Sequence, residues 1–330
     1  MLREASVGRA VACSNIALAK YWGKSDRVYN LPAVPSLSLT LGELVTETEV
    51  YFDPTLSQDE LILDGRPGSA SETRRVTGLL DRTRAISGLS CHARVESINR
   101  FPTAAGLASS ASGFAALAAA STAAAAKTLP HGALSALARR SSASAARSIF
   151  GGFVELGAGI PGDDLLHAVQ LAPADHWDVR LLVALTERGP KAIGSTEAMT
   201  ASRNTSPLYH AWIESAPELF ETIRTAVREK DLTTLGEAME QSTMAFHACA
   251  MTSRPSVLYW GPGTVAALRT VRSLRSDGVS AWATMDAGPH VKTLCEAKDA
   301  SEVRAALRQT PGVHDVIVAS PGPGIEVSVC

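Results

Sequence analysis

Pro102-Thr103-Ala104-Ala105-Gly106-Leu107-Ala108-Ser109-Ser110-Ala111-Ser112-Gly113 joins an alternating segment, Cys91 to Ile98, to an alanine-rich run, Phe114 to Ala126. Read as strand, loop and helix, the stretch makes an anion site. Pro102, Thr103 and Gly106 turn the backbone tightly, since proline fixes φ and glycine tolerates the left-handed region. Alanine and leucine then start a helix whose free N–H groups and positive dipole end point back at the loop. Small side chains let a phosphate approach that backbone, and Ser109, Ser110 and Ser112 add hydroxyls for phosphate oxygens or a metal ion. The same composition also suits a buried Ala/Ser/Gly helix chosen only for tight packing. The cradle is not a P-loop, because Gly23-Lys24-Ser25 lacks a glycine five residues before Gly23, and no G-x-G-x-x-G opens a helix after a strand.

At 330 residues and 45% hydrophobic, the chain can bury a large core and is expected to form two packed lobes. With 31 basic and 33 acidic residues interspersed and a net charge of -2, it offers no broad basic surface for nucleic acid or anionic membrane. Any anionic ligand must therefore be met by a few local charges. Cys13, Cys91, Cys249, Cys295 and Cys330 are odd in number, scattered and without a C-x-x-C pair, which predicts reduced thiols rather than disulfides or structural zinc. No apolar h-region follows Met1-Leu2-Arg3-Glu4, and the alanine run is too short and too mildly apolar to span a bilayer, so a cytoplasmic protein is expected.

In chain order, Arg9 to Cys13 reads as a short strand, followed by Ser14-Asn15-Ile16-Ala17-Leu18-Ala19-Lys20-Tyr21-Trp22-Gly23-Lys24, where two lysines, a tyrosine and a tryptophan crowd a turn. A snorkelling surface segment with one aromatic anchor accounts for that too. The alternation of residues 36–41 and again of 46–51 predicts two antiparallel strands with one wet face. Residues 61–63 form another strand, and 71–86, with Val76, Leu79, Leu80 and Thr83 at helical spacing, an amphipathic helix. A short helix over 134–140 leads into a serine-rich turn, Ser141 to Ser148, and Gly151-Gly152; Arg147 there is a candidate anion-binding fork or simply a surface arginine near a helix cap. The apolar run 179–185 reads as a strand closing the first lobe, with the domain break at Gly189-Pro190. Helices over 195–202, 207–229 and 232–250 follow, the last capped by Asp231. After a helix over 264–275, residues 281–290 give a strand ending in Asp286 at a Gly-Pro turn, where an aspartate can simply cap the turn. A strand over 291–294, a helix near 302–309 and two short strands complete the chain. His290 reads as an ordinary, partly buried histidine rather than a base.

Five separated stretches, from Asn15 to Pro289, resemble the diphosphomevalonate decarboxylases of the GHMP kinase superfamily: PTAAGLASSA, the NIA-x-x-KYWGK segment, the Ser141 to Gly152 segment, Gly194-Ser195-Thr196 with Arg203-Asn204-Thr205-Ser206, and Met285-Asp286-Ala287-Gly288-Pro289. The resemblance implies an α+β protein of α/β two-layer lobes in the GHMP kinase fold. An N-terminal ribosomal-S5-like lobe over 1–188 would carry the phosphate loop, a C-terminal α+β lobe 189–330, and the active site would lie in the cleft between them. The implied reaction is MgATP-dependent conversion of mevalonate 5-diphosphate to isopentenyl diphosphate, ADP, phosphate and carbon dioxide, through phosphorylation of the 3-hydroxyl.

Carried over residue by residue, Asp286 accepts the hydroxyl proton, Lys20 supports it and Arg147 grips the carboxylate that is lost. Tyr21, Lys24 and Ser195 anchor the 5-diphosphate, and Ser142 and Ser144 hold the mevalonate body. Ser97 and the loop Pro102, Ala104, Ala105, Gly106, Leu107, Ala108, Ser109 and Ser110 bind ATP, with Ser109 also toward Mg²⁺. A homodimer is expected from the family. Two departures touch the substrate pocket: Ala33-Val34-Pro35-Ser36 replaces an amide and a hydroxyl, and Ser141 and Ala143 stand where the family has glycines. Rival readings are a mevalonate 3-kinase that does not decarboxylate, a mevalonate 5-phosphate decarboxylase, and a non-catalytic binding module. Joint retention of Lys20, Arg147 and Asp286 argues against the first, Lys24 and Ser195 against the second, and the intact loop and base against the third.

Overall fold

Strands β1 (Val7–Ala19) and β4 (Ser36–Asp53) pair antiparallel along most of their lengths and form the spine of the molecule. The computed structural model describes residues 6–101, 109–187 and 193–329. Between the two spine strands lies a small ribbon, β2 (Lys24–Asp26) with β3 (Leu31–Pro32). The first strand is longer than the 9–13 expected, because its apolar second half, Ile16 to Ala19, continues beside the start of β4.

The larger sheet grows outward from this pair. β7 (His92–Asn99) pairs antiparallel with β4 through residues 46–53, and β5 (Glu60–Leu63) lies parallel to β7 with β6 (Arg66–Pro67) at the margin. β8 (Phe153–Leu156) pairs with residues 36–39 of β4 and carries β9 (Val169–Ala172) beside it. The last strand, β14 (Glu326–Val329), returns across the molecule to the free side of β1. Three helices cover one face: α1 (Ala70–Ser87), α2 (Ser109–Ala124) and α3 (His131–Ser141) pack on Ala10, Ala12, Val50 and Val95. A capping box between Ser69 and Glu72 starts α1, and the expected residues Val76, Leu79, Leu80 and Thr83 are its buried stripe. Nearly all of α2 is buried, and it lies so close to β1 that a Cβ on Gly8 would stand 2.1 Å from the Ala120 carbonyl oxygen. Tight packing explains the alanines of this helix, leaving only its first turn for a ligand.

The second sheet has the order β11 (Ala281–Thr284), β12 (Val291–Glu296), β10 (Val179–Leu185), β13 (Asp315–Ala319), all antiparallel. The apolar run 179–185 therefore does not close the first lobe: its unbroken hydrophobicity reflects a central position in the second sheet, buried on both faces. α7 (Pro262–Ser276) and α8 (Ala300–Gln309) cover one face of that sheet. Its other face meets α5 (Tyr209–Glu229), α6 (Leu232–Met251) and the first sheet in one core, where Leu181 and Val183 join Ile16, Leu39, Ile223 and Met239. α4 (Ser195–Thr205) precedes α5, and the domain break expected at Gly189-Pro190 falls within residues 188–192, outside the described residues. Among the described residues, no helix is long and apolar enough to cross a membrane.

Two strands with one wet face, as the alternation of 36–51 suggested, are in fact one strand whose first half has no wet face. Leu37, Leu39 and Leu41 enter the shared core, while Ser36, Ser38 and Thr40 on the opposite face are equally buried. A buried row of hydroxyls needs partners, and the first two have one that matters.

Candidate active site

That partner is Arg147. The serine-rich turn after α3 folds as a 3-10 helix, Ala143–Ile149, which drives the arginine inward. It is no surface arginine: it is 2% exposed, and its Nε and Nη1 donate to the hydroxyls of Ser38 at 2.9 Å and Ser36 at 2.7 Å. Burial lowers its pKa to about 10, which leaves it a cation at neutral pH. The β4 hydroxyls thus hold a guanidinium against the wall of a cleft of about 510 Å³.

The cleft gathers element ends from several parts of the fold. The end of β1 leads into Lys20 and Tyr21, the turn after β11 delivers Asp286, the 3-10 segment with its N-cap delivers Ser142, Ser144 and Arg147, and the first turn of α4 delivers Ser195. Lys20 Nζ donates to the Ala17 carbonyl at 2.7 Å and sits 3.3 Å from Asp286 Oδ1. Burial lowers the Lys20 pKa to about 8 against the opposing pull of Asp286. Lys24 Nζ reaches the Thr196 hydroxyl at 3.4 Å, and burial lowers its pKa as well. Ser142 and Ser144 hydroxyls are 3.0 Å apart, and Asn15 donates to the Ser144 carbonyl at 3.0 Å and to Ser148 Oγ at 2.8 Å. The Tyr21 phenol is kept protonated, its pKa pushed up by burial. Trp22 is the buried anchor of this segment: its Nε1 donates to Ser202 Oγ at 3.1 Å and its carbonyl accepts from Trp212 Nε1 at 2.8 Å.

A smaller cavity of about 160 Å³ adjoins the cleft, lined by Ser97, Asn99, Ser109, Phe114 and, shared with the larger one, Arg75 and Ser110. The Ser97 hydroxyl bonds Thr48 Oγ1 at 2.9 Å. Ser112 does not face either space: it is fully buried and bonded to Thr46 Oγ1 at 2.7 Å, so its hydroxyl belongs to the α2–β4 contact. Pro102, Ala104, Ala105, Gly106, Leu107 and Ala108 lie outside the described residues.

Of the two sequence departures, Val34 is buried in the aromatic cluster with Trp22 and Trp212, while Ser141 and Ala143 line the cleft itself. His290 is fully buried rather than partly so; its Nδ1 accepts from the Thr186 amide at 3.1 Å. The sequence reading missed four side chains that shape the site. Ser36 and Ser38 were hidden in an ordinary alternation. His247 of α6 is 1% exposed; Trp260 Nε1 donates to its Nδ1 at 3.1 Å, so the ring proton is on Nε2, which donates to the Asp286 carbonyl at 3.1 Å. Burial lowers its pKa to about 3, which keeps it neutral. Lys292 lies 3.4 Å from Asp286 Oδ2. A lysine inside the short strand expected over 291–294 was the available signal.

Known proteins match this architecture from end to end. Residues 12–166 match the diphosphomevalonate decarboxylase-like N-terminal domain, and residues 181–320 match the mevalonate 5-diphosphate decarboxylase C-terminal domain. The diphosphomevalonate decarboxylase of Candida albicans is 34% identical, over 94% of both chains. A solved structure described as MDDEF in complex with MVAPP, AMPPCP and magnesium superposes with a TM-score of 0.92 at 39% identity, covering 98% of this chain and 99% of that one. The mevalonate diphosphate decarboxylase from Enterococcus faecalis, described for its mevalonate diphosphate mediated ATP binding, gives 0.91 at 38% identity with the same coverage.

Proposed function

The chain belongs to the diphosphomevalonate decarboxylases, of the GHMP kinase fold, and is an ATP- and magnesium-dependent enzyme that decarboxylates mevalonate diphosphate; we propose that it does so in the cleft between its two sheets, with Asp286, Lys20 and Arg147 as the catalytic groups. The observation that carries this assignment of roles is the convergence of a carboxylate, a buried ammonium and a buried guanidinium on one cavity wall.

The substrate's tertiary hydroxyl is a poor leaving group, and bound MgATP supplies the phosphoryl group that makes the 3-oxygen able to depart. Asp286 accepts the hydroxyl proton, and Lys20 keeps that carboxylate ionised and oriented. Arg147 takes the substrate carboxylate on its planar fork, aimed by Ser36 and Ser38, so that the bond to carbon dioxide breaks as positive character develops at C3. Lys24, Tyr21 and Ser195 hold the 5-diphosphate, the last at the first turn of α4, where free amides favour anions. Ser142 and Ser144 hold the mevalonate body. The nucleotide occupies the adjoining cavity, with Ser97, Ser109 and Ser110 around it, and the family resemblance assigns its phosphates to the loop from Pro102 to Ala108.

Among the described residues no cluster of three acidic, histidine or cysteine side chains could cage a cation. That suits Mg²⁺, which keeps its waters and is bound largely through phosphates, with the Ser109 hydroxyl as the protein's contribution. A cytoplasmic homodimer completes the proposal, with sedimentation of the purified protein as its check.

The test is ADP and carbon dioxide release from mevalonate 5-diphosphate, mevalonate 5-phosphate and mevalonate in parallel, by the wild-type protein and by Asp286→Asn. Equal release of both products with the diphosphate, and loss of both in the variant, is the expected result. Near-normal turnover by Asp286→Asn would refute the role given to that residue, and ADP without carbon dioxide would make the protein a kinase.

A further inference from the structure

Strand β12 places a second lysine behind the catalytic carboxylate. Lys292 is opposite Thr284 of β11 in register, its side chain is completely buried, and its Nζ is 3.4 Å from Asp286 Oδ2, while Lys20 Nζ is 3.3 Å from Oδ1. Each carboxylate oxygen thus faces its own ammonium. Lysine is almost never fully buried unless paired, and Asp286 is the one ion-pair partner of Lys292 among the described residues. Lys292 is not among the residues that line the cleft.

We propose that Lys292 is a positioning residue for the reaction, a second buried ammonium that holds the Asp286 carboxylate ionised and aimed at the substrate hydroxyl. The inference rests on the role given above to Asp286. A proton left on Asp286 would strand two buried cations without a counter-charge, so the carboxyl, 26% exposed, releases that proton to water in the cleft and returns to its ionised form in each turnover. Two further described groups near Asp286 act on it less directly. Arg147 acts on it only through space, and neutral His247 of α6 bonds its carbonyl, not its carboxylate.

The experiment is the pH profile of carbon dioxide release by wild type and Lys292→Met, which keeps an unbranched side chain one atom shorter and removes its charge. Removing one adjacent cation raises the carboxyl pKa, so the acid limb of kcat is expected to move up by about one pH unit, with KM for mevalonate 5-diphosphate within about twofold. An acid limb within about 0.2 unit of wild type overturns the proposal. Should Lys292→Met not fold, thermal melting of Asp286→Asn and of the double variant Asp286→Asn/Lys292→Met decides it. The first leaves two buried ammoniums uncompensated and the second only one, so the double variant is expected to melt higher, and a double variant no more stable than Asp286→Asn refutes the pairing. Turnover by Asp286→Asn itself separates the two ideas: if it is abolished while the Lys292→Met limb stays put, only the role of Lys292 falls.

Discussion

Arg147 has lost its water and keeps two serine hydroxyls in exchange, an arrangement that fixes the guanidinium plane before any substrate arrives. A hydrogen bond to a charged group is worth about 1.5–3 kcal/mol, so Ser38→Ala should lower kcat/KM by about tenfold to a hundredfold without unfolding the protein; an unchanged value would mean that the fork is aimed by packing alone. Lys20 has the opposite difficulty, since its burial disfavours the charge that the reaction needs. With its pKa lowered from 10.5 to about 8, chiefly by desolvation, the ammonium is lost as pH rises through about 8, and kcat/KM should fall there. For stability the sign is reversed. Between about 8 and 10.5 the unfolded chain still binds this proton and the folded one does not, so Lys20 favours folding more as pH rises through that window. Lys20→Arg, whose side chain does not titrate in this range, should move the alkaline limb of kcat/KM upward, and an unmoved limb would assign it to another group.

At the scale of elements, β4 does two jobs with one alternation: its leucines build the shared core and its serines build the site. Neither can be exchanged for the other, because a shift of one residue would put leucines against Arg147. α6 works similarly, packing Leu235 and Met239 into the core while presenting Ser242 to the Lys20 amide at 3.0 Å and His247 to Asp286. Its approach to β11 depends on Gly236, where a Cβ would stand 2.0 Å from the Trp282 ring. Gly236→Ala must therefore push the helix or the indole aside, at a cost of about 1–3 kcal/mol by overpacking. A lowered urea midpoint is expected, and an unchanged one would show that the contact yields freely.

Across the whole molecule the two sheets do not own separate interiors. Ile16 and Leu39 from the first sheet share one cluster with Leu181, Val183 and Leu294 from the second, and the final strand β14 ties the end of the chain back to β1. The cleft consequently lies at a junction that unfolds with the rest. Calorimetry should show one cooperative transition, and Ile16→Ala should lower that transition as a unit, by about 2–5 kcal/mol. Two separate transitions, with the substitution moving only one of them, would contradict a shared core.

The local sequence sufficed wherever a signal is carried by neighbouring residues: the amphipathic α1 with its buried stripe, the Asp231 cap of α6 and the turn that presents Asp286, whereas the grouping of Lys20, Arg147 and Ser195 at one site came from the family resemblance. Periodicity and turn chemistry act over a few residues, so they survive without the fold. The partners that give those residues their properties are distant in the chain, and only the tertiary structure decided them. The row Ser36, Ser38 and Thr40 is indistinguishable in sequence from a solvated strand face until α2 and the 3-10 segment cover it. Val179–Leu185 has the same hydrophobicity at the edge of one sheet or the centre of another. Lys292 and His247 are charged or polar residues in apolar surroundings, and whether such a residue turns to water or inward to Asp286 depends on which elements fold over it. Burial and electrostatic pairing are properties of spatial neighbours, and these neighbours are set by the packing of both sheets around one core.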